Sequence, residues 1–170
     1  MLLTGTVKFA RIFALMGTDL SCLMEKALHE AEKAFHQGEV PVGAVLAEQD
    51  GRIIANDCNR MIELQDPTAH AEMLVLRHGA AVRKNYRLND CILVATIEPC
   101  LMCMGAIIHA RIAHLAFGAS DPKWGTAGSL YDIPNDRRLN HRLLVSGGIR
   151  EEECRNLMQK FFRMRRQKTG

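Results

Sequence analysis

Cys91-Ile92-Leu93-Val94-Ala95-Thr96-Ile97-Glu98-Pro99-Cys100-Leu101-Met102-Cys103 is the run that decides the fold. Its first part, residues 91–96, is short and mostly apolar, which predicts a strand buried on both faces. Pro99 ends that strand and holds the turn rigid. From about Cys100 to about Ala110 the pattern becomes helical, and residues 114–117 supply another strand. Strand, helix and strand in this order predict a right-handed crossover within one sheet.

Upstream, Leu20, Leu23, Met24, Ala27, Leu28, Ala31, Ala34 and Phe35 keep a helical spacing. Thr18 or Asp19 can cap that helix, and Gly38 can end it. Strands over residues 42–47 and 52–57 follow, joined by Asp50-Gly51, a pair that favours a tight hairpin. Residues 59–68 read as a polar loop and residues 69–84 as a second helix. Downstream come a Gly-rich loop over 118–135, a fifth strand over 143–146 and a last helix over 151–166. That helix carries Cys154, Leu157, Met158, Phe161 and Phe162 on one face. The order predicts a three-layer α/β/α sandwich around a mixed sheet of about five strands.

A chain of 170 residues suits a single domain with a real core, placed over residues 19–170. Residues 1–18 stand apart as an extension of unassigned role. Its first sixteen residues are apolar, but Lys8 and Arg11 interrupt them and spoil a signal-peptide core. A bland extension, a translation start at Met16 and an organelle-targeting segment are the readings open for it. No apolar run approaches the roughly 18 residues of a membrane span. The six cysteines are scattered through a full-sized domain, which implies the reducing cytoplasm rather than a disulfide scaffold. Cys22, Cys58, Cys91 and Cys154 read as small core residues.

A formal net charge of +3 does not by itself point to nucleic acid. The distribution is more telling. Arg155, Lys160, Arg163, Arg165, Arg166 and Lys168 occupy the end of the chain, and no Asp or Glu lies among residues 155–170. Such an end suits a phosphate backbone, though a solvated tail has the same composition.

The chemistry lies in two motifs, His70-Ala71-Glu72 and Pro99-Cys100-Leu101-Met102-Cys103. Cys100 and Cys103 are three apart in the first turn of a helix, so they share a face. Unpaired N–H groups and the helix dipole there favour thiolates. With His70 they make three zinc ligands, and three protein ligands plus water is the pattern of a catalytic zinc. Taken singly, each residue has a plainer reading. CxxC is also a redox pair or half of a structural zinc site, although no second CxxC or HxxxH pair completes one. Glu72 could merely complement the helix dipole, and His70 could be a hydrogen-bonded core histidine. Together, each at a helix start, they point to one site. His70 and Glu72 are two apart, so a shared metal must lie beyond the helix tip. Two thiolates blunt the acidifying power of zinc, which calls for a base beside the water, and Glu72 supplies it. Glu72 would take the water proton and pass protons to a ring nitrogen and to the departing amine.

HxE followed by PCxxC resembles the signature of the zinc-dependent nucleobase deaminases. The segments Asp66-Pro67-Thr68-Ala69-His70-Ala71-Glu72, Ala127-Gly128-Ser129-Leu130, Asn140-His141-Arg142 and Phe161-Phe162-Arg163-Met164-Arg165-Arg166 are similar to the bacterial tRNA-specific adenosine deaminases. The resemblance covers about residues 19–168 and implies a cytidine-deaminase-like fold. It implies one Zn2+ per subunit on His70, Cys100 and Cys103, with Glu72 as proton shuttle. It implies a homodimer that acts on the wobble adenosine of a tRNA anticodon stem-loop. It marks Asn59 as a ligand of the flipped nucleoside, where the residue alone reads as a turn asparagine. Asp121 and Lys123 fall in a loop that borders RNA in such proteins. Phe162 or Phe161 would edge the pocket, and Arg163, Arg165 and Arg166 would meet phosphates. Trp124 belongs to no motif. Two rivals remain: a deaminase of free guanine, cytosine or cytidine, and an RNA-binding subunit with structural zinc. The basic end speaks against the first, and the presence of Glu72 against the second.

Overall fold

Alternation along the three central strands sorts their side chains into two cores. The computed structural model describes residues 18–168. The helix α1 (Leu20–Gln37) leads into β1 (Gly43–Glu48) and β2 (Ile53–Cys58). A short α2 (Met61–Leu64) and then α3 (Ala71–Arg83) precede β3 (Cys91–Ile97). The chain continues through α4 (Leu101–His109), β4 (His114–Ala119), β5 (Leu144–Ser146) and α5 (Glu151–Lys168). The strand order is β2-β1-β3-β4-β5. β1 pairs antiparallel with both β2 and β3, whereas β3, β4 and β5 run parallel.

On one face Ala44, Leu46, Leu93, Ala95, Leu115 and Phe117 pack against α3 and α4 through Val75, Leu76, Met104 and Ile107. On the other face Val45, Ala47, Ile92, Val94 and Ala116 pack against Leu23, Met24, Ala27 and Leu28 of α1 and Cys154 of α5. This is the expected mixed five-stranded sheet between two helical layers. Burying each of these larger side chains contributes about 1.5–3 kcal/mol, which is why β1, β3 and β4 carry so little polar sequence.

Local signals act where expected. Asp19 caps α1 by accepting the Cys22 N–H at 3.0 Å, and Gly38 ends it in the left-handed conformation. Gly43 lets α1 lie directly on β1, because a Cβ there would sit 2.0 Å from the Ala27 carbonyl oxygen.

Four expectations need correction. The stretch 59–68 is not wholly loop, because α2 forms within it. The buried Glu39 carboxylate holds its start by accepting the Ile62 and Glu63 N–H groups at 2.7 and 2.9 Å. β4 runs on through Gly118 to Ala119, so the loop begins at Ser120. Of the four cysteines assigned to the core, Cys22 is exposed on the outer face of α1. Phe162 leaves the core stripe and is 45% exposed, whereas Phe161 stays buried. Of the expected extension, residues 1–18, all but Thr18 lie outside the described residues. Among the described residues no helix is long and apolar enough to cross a membrane.

Candidate active site

The site forms where the starts of α3 and α4 meet. His70 occupies the N-cap position of α3 and Cys100 that of α4, and neither side chain caps its own helix. Both helices therefore begin slightly later than the sequence pattern predicts. Cys100 precedes the first turn rather than lying in it. This resolves the spacing problem of His70 and Glu72. His70 has an extended backbone outside the helix, while Glu72 lies within its first turn. The N–H of Ala71 finds its acceptor elsewhere, in the Asn59 side-chain oxygen at 2.9 Å.

His70 Nδ1 lies 3.7 Å from Cys100 Sγ and 3.5 Å from Cys103 Sγ. Two ligands of a tetrahedral zinc, at ordinary Zn–S and Zn–N lengths, lie about 3.6 Å apart. The three donor atoms fall within 4.8 Å of one another, and no other His, Cys, Asp or Glu joins that group among the described residues. Donor set and spacing thus fit a zinc ion with a coordination position left over. Hydrogen bonding from Cys103, and then from His70, lowers the Cys100 thiol to about 4. The bond to Cys100 and burial raise Cys103, so the metal-free pair holds a proton that a dication would replace.

Glu72 is 2% exposed, and its Oε2 has no hydrogen-bond partner. Burial raises its carboxyl above the usual range. A buried carboxylate oxygen without a partner costs stability, so its retention points to a functional use.

His70, Glu72 and Cys100 line a cavity of 1430 Å³ together with Asn59, Asp121, Lys123, Trp124, Phe162, Arg163 and Arg166, while Cys103 is fully buried. Most of the residues singled out in the sequence are thus brought to one place. Arg165 is not; it lies over the Phe161 ring, 5.6 Å from the centroid. Asp121 is engaged within its own loop, where Oδ1 accepts the Lys123 and Trp124 N–H groups at 2.9 and 3.3 Å.

One organising residue escaped the sequence reading. Glu98 is 2% exposed and anchors the loop after β4. Its Oε1 accepts the Ala127 and Ser129 N–H groups at 2.7 and 3.1 Å, and its Oε2 accepts the Asp121 N–H at 3.1 Å. The Ser129 hydroxyl donates to Oε2 as well. Gly125 is required by this arrangement, since a Cβ there would meet the carboxylate at 2.4 Å. An acid at the end of a buried strand, directly before Pro99, was the available signal.

The family model for the cytidine and deoxycytidylate deaminase zinc-binding region matches residues 18–119. The chain belongs to this family. The zinc deaminase family model spans Asn59, His70, Glu72, Cys100 and Cys103, and the chain binds zinc. Among curated relatives, a tRNA-specific adenosine deaminase of Haemophilus influenzae is 48% identical over 145 residues, covering 85% of this chain and 84% of that protein. Its counterpart in Bacillus subtilis is 43% identical, covering 85% and 89%. A structure solved in a study of A-to-I editing by tRNA:A34 deaminases at the wobble position has a TM-score of 0.76 at 43% identity. That match covers 79% of this zinc deaminase and 97% of the solved chain. The guanine deaminase of Nitrosomonas europaea shares the fold, with a TM-score of 0.72 at 22% identity over 85% of each chain.

Proposed function

We propose that this zinc deaminase hydrolyses the wobble adenosine of a tRNA anticodon loop to inosine, releasing ammonia. The observation that carries the reading is Glu72, buried and with an unpartnered oxygen, beside a three-donor metal group at the floor of a large cavity.

His70, Cys100 and Cys103 would hold the zinc, and zinc bound there would supply Lewis acidity to a water molecule. Glu72 would accept one proton from the attacking water as its oxygen adds to C6 of adenine and pass that proton to N1. It would then take the second proton from the new C6 hydroxyl and pass it to the amine, which leaves as ammonia while the C6 carbonyl forms. Its burial excludes bulk water from the transfer. Asn59 keeps its oxygen on Ala71, which leaves its amide NH2 group to face the base. Phe162 offers an apolar edge, and Lys123, Arg163 and Arg166 offer charge to phosphates. Arg165, Asp121 and Phe161 act at one remove, by holding this wall in place.

Cavity size favours a polymer over a free base. Typical small-molecule pockets span roughly 300–1,000 Å³, and this one is larger and basic at its edge. Unpaired loop nucleotides suit an enzyme that must take its base out of a stack. We infer further that the enzyme works as a homodimer in the cytoplasm. Leu130 and Tyr131 are adjacent and about half exposed, the kind of apolar surface that pairing covers. None of the six cysteines is paired in a disulfide, which accords with a reducing compartment.

The test is to incubate the zinc-loaded protein with an adenosine-bearing anticodon stem-loop, and separately with free guanine, cytosine and cytidine. Inosine in the stem-loop is the expected product. Turnover confined to a free base would replace this reading with its rival.

A further inference from the structure

We propose that Trp124 is a stacking platform for an unpaired nucleotide next to the reacting adenosine, and so a specificity-determining residue at the rim. The inference rests on the RNA substrate proposed above.

Trp124 lines the same cavity as Glu72 yet is 67% exposed. The two residues therefore mark the rim and the floor. An indole left this open sacrifices the burial that usually keeps tryptophan in a fold. It is not exposed through slackness. The Asp121 carboxylate holds its backbone N–H, and the Asp121 N–H is in turn bound by buried Glu98. Gly125, the next residue, is hydrogen-bonded to the Asp121 carbonyl at 2.8 Å. The turn is fixed at both sides of the ring, and the ring itself is presented to solvent.

What it would receive follows from its neighbours. Lys123, Arg163 and Arg166 line the same cavity and supply positive charge. An aromatic face among cations is the pattern of single-stranded nucleic-acid binding, where bases stack and phosphates are neutralised. Extrusion of one base into the cavity strips its neighbour of a stacking partner. Trp124 is placed to supply the missing face.

The chain contains a single tryptophan, so its fluorescence reports on Trp124 alone. The zinc-loaded full chain is titrated with the stem-loop, and with versions carrying an abasic site on either side of the adenosine. Inosine formation is followed in parallel for the wild type, Trp124→Ala and Trp124→Phe. The intact loop should quench the emission, and one of the abasic loops should not. Trp124→Ala should lower kcat/KM about 10- to 100-fold on the intact loop, mainly through KM, and Trp124→Phe should restore most of it. On the abasic loop that fails to quench, wild type and Trp124→Ala should differ by less than about twofold. Unchanged emission on binding, or an equal loss on intact and abasic loops, overturns the platform while inosine formation leaves the proposed function standing. No inosine in the wild type overturns both.

Discussion

The floor and the rim of the cavity are built on opposite principles. The floor consists of helix tips and a strand end whose polar groups are buried or half-buried and, apart from the Glu72 carboxyl, committed to one another: His70 with two sulfurs, Asn59 with Ala71, Glu98 with the loop. The rim consists of long side chains on a loop and on α5, with Trp124 and Phe162 open to solvent. Groups at the floor are fixed before any substrate arrives, as transition-state stabilisation requires. Groups at the rim can adapt to a flexible polymer. Damage to the floor should therefore appear in metal content and kcat, and damage to the rim in KM and salt dependence.

The largest effect should come from the metal ligands. Cys103→Ala or His70→Ala should remove zinc, as seen by elemental analysis, and leave no measurable inosine formation. Glu72→Gln should retain one zinc per chain yet lose about 10²- to 10⁴-fold in kcat, the range typical of a lost general acid–base group. A Glu72→Gln enzyme that keeps near-normal turnover would erase the distinction between ligand and shuttle. Glu98→Ala joins the two regions, because it removes the buried acceptor shared by the Asp121, Ala127 and Ser129 N–H groups. It should cost about 2–5 kcal/mol in chemical denaturation and raise KM by misplacing the rim. Arg163→Ala and Arg166→Ala should weaken stem-loop binding severalfold without changing kcat. Each should reduce the slope of log affinity against log salt by about one. An unchanged slope would remove those residues from the phosphate surface.

The smallest effect serves as a control remote from both regions. His114 opens β4, at the end of the strand far from the site. Its Nε2 lies 2.9 Å from the Ser146 hydroxyl, and its buried Nδ1 has no partner. Burial lowers its imidazole below the ordinary range. The unfolded chain then takes up a proton more readily than the folded one. Its contribution is fully present above the unfolded value of about 6.5 and is lost as pH falls towards the folded value. His114→Gln should flatten the acid side of a Tm-against-pH curve and leave deamination intact.

The sheet and the metal group were legible in the sequence because periodicity and ligand spacing are local signals. β1, β3 and β4 showed themselves by apolar runs, and Cys100 and Cys103 by their separation. What stayed hidden depends on contacts distant in the chain. α2 is held by Glu39, more than twenty residues upstream, so nothing within 59–68 announces it. Glu98 looked like one acid among nineteen, although its partners lie in the loop at 121–129. Phe161 and Phe162 are adjacent, and helical periodicity alone left both on the inner stripe. Packing against Phe35 at 6.0 Å selects Phe161 for the interior.

Glu98 and Cys100 are two residues apart in the turn from β3 to α4, so a single short stretch of backbone both carries a metal ligand and tethers the opposite bank of the cleft. An independent hinge between them has no place to form. Such an enzyme works as an anvil rather than a jaw, and the deformation needed to bring a base to the reactive centre falls on the nucleic acid. Loops already splayed when they arrive would then be processed faster than stacked ones of the same sequence.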